Sequence, residues 1–239
     1  MPGDTCYQAV EISGTSCRPT GVHVCEDGLV RLYLNGMPVE LFEAVPGGLE
    51  ALACGFLLCE GIIPSASAIE SVVVRRGRID VKAGSGAITP PIQGPAPVVE
   101  ARVLFETYMS LGRFSPLGRS TGGTHSAVIF TVEGGAVASG EDVHGTGAVS
   151  RAIGRAALDG RDLRDCFILY TGSPTAWTIR AMSRVGLRLA VGCEAPSSKA
   201  IALARGSSVG LTAILAPWHM VIYSGQGSIT GIPGQSGPG

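Results

Sequence analysis

Apolar positions along the first half of the chain change period twice, and each change marks a predicted element. Leu29-Val30-Arg31-Leu32-Tyr33-Leu34 has an extended character, Asn35-Gly36 follows, and a second extended run continues through Val39 and Phe42. Asn-Gly between two such runs predicts a hairpin over 29–44 closed by a two-residue type I′ turn, whose central residues both need positive φ. Leu49, Leu52, Ala53, Phe56 and Leu57 then recur at helical spacing, and Gly61 after Glu60 supplies a left-handed stop. That helix is predicted to pack on the hairpin. Periodicity is lost over 83–97, which holds four prolines and reads as a connector between lobes. Val99, Val103, Leu104, Tyr108 and Leu111 form an apolar stripe on a second helix, which leads into the loop Arg119-Ser120-Thr121-Gly122-Gly123-Thr124-His125.

From Ser126 onward the pattern alternates. Strands are predicted at 126–132 and 136–139 around the turn Glu133-Gly134-Gly135, then at 166–170, 187–191 and 210–216, with helices near 147–158, 174–186 and 197–206. Alternation at this spacing implies βαβ crossovers that build a sheet covered by helices. The expected organisation is an N-terminal α+β lobe with its connector over 1–97, an α/β domain over 98–224, and a flexible Gly/Ser/Pro-rich tail over 225–239.

Composition narrows the function classes. Hydrophobic residues make up 45% of the 239 positions and charged ones 15%, which suits a compact fold and argues against disorder. A formal charge of −1 gives no broad basic field, so nucleic acid is not an expected partner. No apolar run approaches about 18 residues and the N-terminus lacks a basic stretch followed by an apolar core, so neither a membrane span nor a signal peptide is expected. A cytoplasmic address follows. The seven cysteines have no Cys-x-x-Cys spacing, which favours reduced thiols, with Cys54, Cys59 and Cys166 in apolar runs expected to be core residues.

In open α/β sheets, ligands sit beyond the carboxyl ends of the parallel strands, where helix N-termini with unpaired N–H groups converge. Here that rim comprises 140–147, 171–175, 193–198 and 216–219. The antiparallel strand that opens the first hairpin adds Thr121 to His125. A turn at Glu133-Gly134 places His125 opposite Asp142, and one at Gly134-Gly135 places it opposite His144. Glycines 122, 123, 140, 145, 147 and 172 would let backbone N–H groups approach a ligand, while Ser173, Thr175, Ser197 and Ser198 could cap helices and donate to phosphate. Arg151, one helical turn before Arg155, is the candidate phosphate partner, and His125 with Glu141 or Asp142 a candidate acid/base pair. None of the four histidines is followed two residues later by glutamate, so a zinc-deaminase motif is absent and no metal site is expected. Neither Gly145-Thr146-Gly147 nor Gly225-Gln226-Gly227 has the third glycine of a dinucleotide fingerprint.

These loops also carry a resemblance. Ala51-Leu52-Ala53-Cys54-Gly55-Phe56-Leu57-Leu58-Cys59-Glu60-Gly61-Ile62-Ile63, Thr121-Gly122-Gly123-Thr124-His125-Ser126-Ala127, Gly140-Glu141-Asp142-Val143, Ala195-Pro196-Ser197 and Val221-Ile222-Tyr223-Ser224 occur in the order of matching segments in one family. Over 29–223 the chain resembles the formate dehydrogenase accessory sulfurtransferases, often written FdhD/NarQ. The resemblance implies a cytidine-deaminase-like α/β fold, a mixed sheet with flanking helices beside a smaller N-terminal α+β lobe, and a homodimer. It implies binding of a molybdenum bis(guanine dinucleotide) cofactor, or a guanine nucleotide, and sulfur delivery from a cysteine desulfurase to formate dehydrogenase. The cofactor-binding residues carried over are Thr121, Gly122, Gly123, Thr124, His125, Glu141, Asp142, Thr171, Gly172, Ser173, Ala195, Pro196, Ser197, Ile214, Leu215, Ala216, Pro217, Trp218 and His219, to which its place in the helix adds Arg151.

The chain departs from that pattern where the family carries sulfur. The family's Cys-Gly-x-Cys-Gly persulfide loop corresponds here to Ala83-Gly84-Ser85-Gly86-Ala87-Ile88, which holds no thiol. Cys193, at a strand end before a helix, is the thiol nearest the expected rim and the candidate replacement carrier. Three readings stay open: a maturation factor for a molybdenum or tungsten enzyme, a non-catalytic binding module on the same fold, and a hydrolase or transferase acting on a nucleotide through His125 and Asp142.

Overall fold

The computed structural model describes residues 3–84 and 94–232. Most of the expected connector, including Ser85 to Ile88, therefore lies outside the described residues. The chain opens with a two-stranded antiparallel ribbon, β1 (Asp4–Ser13) and β2 (Ser16–Cys25), joined at Gly14-Thr15 with Gly14 at φ 58°. Sequence periodicity misses this ribbon because both of its faces are mostly exposed, so no apolar/polar alternation marks it.

The N-terminal lobe is a four-stranded sheet in the order β4-β3-β6-β5, built from β3 (Gly28–Leu34), β4 (Met37–Ala44), β5 (Ile69–Arg75) and β6 (Arg78–Ala83). The hairpin turn is the expected one, with Asn35 at φ 51° and Gly36 at φ 84°. Asn35 also clasps the end of β6, donating to the Ala83 carbonyl at 2.9 Å and accepting from its N–H at 3.1 Å. Helix α1 (Leu49–Cys59) packs its Leu52, Leu57 and Leu58 on Leu32, Ile79 and Val81 of this sheet. Its other face meets the second lobe, which explains why so little of it is exposed.

The α/β domain begins with β7 (Val99–Glu100), α2 (Ala101–Ser110) and the short α3 (Pro116–Thr121). It continues through β8 (His125–Thr131), β9 (Ala136–Asp142), α4 (Gly145–Leu158), β10 (Cys166–Tyr170), α5 (Ala176–Arg184), β11 (Leu189–Gly192), α6 (Ser198–Gly206), β12 (Gly210–Ala216) and β13 (His219–Ser224). The sheet is mixed, in the order β13-β12-β11-β10-β8-β9, with β10, β11 and β12 mutually parallel. Helices α4, α5 and α6 cover one face through Ile153, Ile179, Met182 and Ala204, and α2 covers the other through Leu104 against Phe130, Phe167 and Leu189. The sequence-based expectation of a mixed α/β fold with flanking helices and a smaller α+β lobe is met. Part of the expected tail is built in: β14 (Ile229–Thr230) pairs in parallel with β7, and Ile229 is buried beneath α2.

The lobes meet where α1 crosses α4. A Cβ at Gly55 would lie 1.7 Å from the Ser150 carbonyl oxygen, and one at Gly154 would lie 1.9 Å from that of Ala51. Only two glycines facing each other allow so close a helix approach.

Candidate functional site

Topology gathers the predicted loops along one edge of the large sheet. Because β8 is antiparallel to β10, its first residues meet the end of β10, with Ala127 opposite Tyr170. On its other side His125 pairs with Asp142, one of the two registers considered. The hairpin closes through a three-residue loop, Val132 to Gly134, between Thr131 and Gly135, and a bulge between Ile129 and Phe130 restores the register, so the two-residue turn at Glu133-Gly134 is not the one formed. Tyr170 pairs with Gly192, Gly192 with Ala213, and Ala216 with His219. Hydrogen bonds then tie neighbouring loops. Thr171 Oγ1 accepts from the Ser126 N–H at 3.0 Å and lies 3.1 Å from His125 Nδ1. Ser173 Oγ donates to the Ala195 carbonyl, the Ser197 N–H to the Pro174 carbonyl at 2.9 Å, and the Cys193 N–H to the Tyr170 carbonyl at 3.0 Å.

His125, Thr171, Gly172, Ser173, Ala195, Pro196 and Ser197 thus form a connected run. The late loop lies at the far end of this run: β12 adjoins β11 but is three strand spacings from β8, roughly 14 Å from the histidine's strand. There the Ile214 side chain is fully buried in the core under α2, which leaves only its backbone for a cofactor contact, while Trp218 turns its ring onto Phe105 at 5.1 Å.

Two other candidates are withdrawn from the rim by their own partners. Arg151 is buried: its Nε donates to Asp142 Oδ2 at 2.6 Å, one terminal nitrogen donates to the Gly47 carbonyl, and the other to the Val45 carbonyl at 2.7 Å. Asp142 Oδ1 accepts from Val45 N at 3.1 Å and Val143 N at 2.8 Å. The pair is a latch between the loop after β4 and the end of β9, and both charged groups already have partners within the protein. Glu141, on the opposite face of β9, accepts from Ser115 Oγ, Thr124 Oγ1 and the Leu117 and Gly118 N–H groups, fixing the start of α3 and the Thr121–His125 loop. Gly140 and Gly147 are also packing residues. A Cβ at Gly140 would lie 2.3 Å from the Ala148 carbonyl oxygen, and one at Gly147 would lie 2.7 Å from Asp142 Oδ2.

The three helices that open on the rim differ in their first turns. Thr175 caps α5 in a reciprocal box with Thr178, and Ser197 Oγ accepts from Ala200 N at 3.2 Å to cap α6. No side chain caps α4, whose first turn carries the N–H groups of Gly145, Thr146 and Gly147. That turn adjoins the histidine: a Cβ at Gly145 would lie 3.9 Å from His125 Cγ, and one at Gly172 would lie 3.8 Å from His125 Nδ1. Gly122 and Gly123 are exposed beside them. Exposed Thr146 and Lys199 escaped the sequence reading, although each sits in the first turn of a helix after a rim strand.

The thiols divide by burial. Cys54, Cys59 and Cys166 are core residues as expected, and burial raises all three pKa values, that of Cys54 to about 12. Cys193 packs against the core under α2, and burial, then the Glu194 carboxylate, pushes its thiol up to about 12. A persulfide carrier needs an accessible thiolate stabilised by positive charge, whereas Cys193 is half-buried and has a carboxylate beside it. Among the described residues, no group of three or more His, Cys, Asp and Glu is arranged to hold a metal ion, and no helix is long and apolar enough to cross a membrane.

Comparison with known proteins agrees with this architecture. The chain is 28% identical over 222 residues to a protein of Methanothermobacter thermautotrophicus named sulfur carrier protein FdhD, covering 84% of this chain and 89% of the relative. A protein of the same name from Chromobacterium violaceum is 29% identical over 245 residues, covering 87% and 91%. A solved chain from Desulfotalea psychrophila, described as a formate dehydrogenase accessory protein, shares the fold with a TM-score of 0.86 at 24% identity, over 96% of this chain and 100% of that one. A family model described as FdhD/NarQ matches residues 87–230, more than half of the sequence, and the chain belongs to that family.

Proposed function

We propose that this protein is an accessory factor in the maturation of a molybdenum- or tungsten-dependent formate dehydrogenase, and that its rim holds the phosphate-bearing part of a guanine dinucleotide cofactor. One observation carries the reading: the side-chain-uncapped N-terminus of α4 faces His125 at the centre of the loop cluster. A helix N-terminus offers N–H groups and positive potential to an anion. Thr171 Oγ1 already accepts the Ser126 N–H, so its own hydrogen is free to go to His125 Nδ1. With Nδ1 accepting in that way, the proton sits on Nε2, a donor suited to a phosphate oxygen. Thr146, exposed Gly122 and Gly123, and Lys199 supply further donors. The donor set fits a pyrophosphate without Arg151.

The names of the relatives support formate dehydrogenase as the client. A cysteine desulfurase as sulfur donor, a cytoplasmic location and a homodimer belong to the same reading. The exposed Leu215, Trp218 and Met109 near edge strand β13 and α2 support the homodimer. The test is equilibrium binding of GDP. Micromolar binding is expected, weakened about ten-fold in His125→Ala by loss of one charge-assisted hydrogen bond. Absence of binding, or equal affinity in His125→Ala and Thr146→Val, overturns the assignment. A second reading, a binding module that delivers no sulfur, draws on the half-buried Cys193, whose thiol is pushed up to about 12 by burial and Glu194. Charging with a desulfurase separates the two.

A further inference from the structure

The carboxyl ends of the parallel strands make the rim, and the amino ends of β11 and β12 border a second hollow. There a cavity of about 710 Å³ is lined by Arg180, Arg184 and Arg188 beside apolar walls of Ile179, Leu203 and Pro95. Strand β11 spans four residues, so this cavity lies roughly 13 Å from the rim. Three guanidinium groups line it and, among the described residues, no carboxylate does. Arg180 and Arg184 are one turn apart on α5, and Arg188 enters β11 just after it. Arg188 is buried, and that burial lowers its pKa because charge held away from water is costly. Part of the cluster serves the fold. One terminal nitrogen of Arg184 donates to the Cys59 carbonyl at the end of α1 at 2.7 Å, and one of Arg188 to the Ser207 and Ser208 carbonyls after α6. Basic side chains near helix C-termini commonly take such carbonyls. Capping does not account for Arg180, which is exposed and makes no hydrogen bond or ion pair with a described residue. Nor does it exhaust Arg184, since a guanidinium carries five N–H groups. Like charges one helical turn apart repel, and an anion seated between them turns that repulsion into attraction.

We propose that this cavity is a second anion site, which takes a small molecule bearing a phosphate ester or diphosphate group, with Arg180 and Arg184 as its ligands. The inference goes beyond the rim and does not depend on the reading given to it. Planar guanidinium forks pair with phosphate oxygens through two parallel N–H···O bonds, so two of them one turn apart can grip a phosphoryl group from one side. A charge of two or more also answers three cations better than a single carboxylate does. The volume is that of a small-molecule pocket, roughly 300–1,000 Å³, and Ile179, Leu203 and Pro95 offer apolar surface to the body that carries the phosphate. Ser183, which also lines the cavity, already spends its hydroxyl hydrogen on the Ile179 carbonyl at 2.8 Å.

The test labels the full chain with phenylglyoxal, an arginine reagent, at low ionic strength and maps the adducts by peptide mass spectrometry. Arg180 is the reporter, and Arg31, exposed on β3 and outside the cavity lining, is the internal control. Saturating inorganic pyrophosphate is expected to slow labelling of Arg180 about ten-fold and to leave Arg31 unaffected, with most of that protection lost in Arg184→Gln. Protection should persist in His125→Ala, because the rim is a separate site. Arg184 also holds the end of α1, so should Arg184→Gln fail to fold, the wild-type protection decides alone. Equal labelling of Arg180 with and without pyrophosphate overturns the proposal, as does protection that vanishes in His125→Ala or survives in a folded Arg184→Gln. Citrate in place of pyrophosphate tests the phosphate assignment, and protection by citrate alone overturns it. GDP affinity in His125→Ala reads the rim independently, so failure of either site leaves the result at the other standing.

Discussion

Asp142 and His125 are paired across β8 and β9, yet the fold uses them in opposite ways. Asp142 is 1% exposed and fully occupied by Arg151, Val45 and Val143, whereas His125 is half-buried and adjoins an uncapped helix. Residue type does not distinguish a latch from a binding group; the difference lies in whether the polar atoms already have partners. The sharpest way to break the comparison is Asp142→Ala. It strands a buried guanidinium and two N–H groups, and the expected loss is about 3–5 kcal/mol. His125→Ala is expected to cost less than about 1 kcal/mol while weakening GDP binding. Urea unfolding beside GDP titration measures both. A stable Asp142→Ala with lost affinity would exchange the roles of seam and rim.

The glycines repeat the contrast two residues apart in the first turn of α4. At Gly147 an added Cβ meets Asp142 Oδ2 at 2.7 Å, whereas at Gly145 the nearest atom is His125 Cγ at 3.9 Å. Gly147→Ala is expected to destabilise by about 1–3 kcal/mol, with GDP affinity falling only as the fold loosens. Gly145→Ala is expected to leave the unfolding midpoint nearly unchanged and to reduce affinity by crowding the anion position. Equal stabilities for the two variants would show that the latch tolerates displacement and is not the rigid side of the comparison.

The sequence made the sheet and the hairpin legible for a simple reason. Buried strands such as Val128-Ile129-Phe130 and Phe167-Ile168-Leu169 carry their burial in composition, and Asn35-Gly36 has one strongly preferred geometry. The family motifs and the rim were legible because loops at one edge of an α/β sheet follow from element order. Tertiary pairing was not. Arg151 reads as a phosphate partner at the rim until the carbonyls of Val45 and Gly47, more than a hundred positions away, are brought onto it. The ribbon escaped because it buries almost nothing. Its one usable signal was Gly14-Thr15 between two runs of similar length, a two-residue turn without apolar alternation around it.

The mildest expected effect concerns Cys193, and it sharpens the same distinction between an apparent and an available group. With its pKa pushed up to about 12 by burial and by Glu194, the thiol gains its charge only as the solution becomes strongly alkaline. At pH 8 its thiolate fraction is on the order of one in ten thousand. Iodoacetamide on the native protein should therefore modify the ribbon thiols Cys6 and Cys17 well before Cys193, and the order should be lost in urea. Cys193→Ser should leave GDP affinity unchanged and stability within about 1 kcal/mol. Rapid native labelling of Cys193 would mean that the core under α2 opens at the rim, and the strand end it occupies would have to be counted with His125 among the available groups.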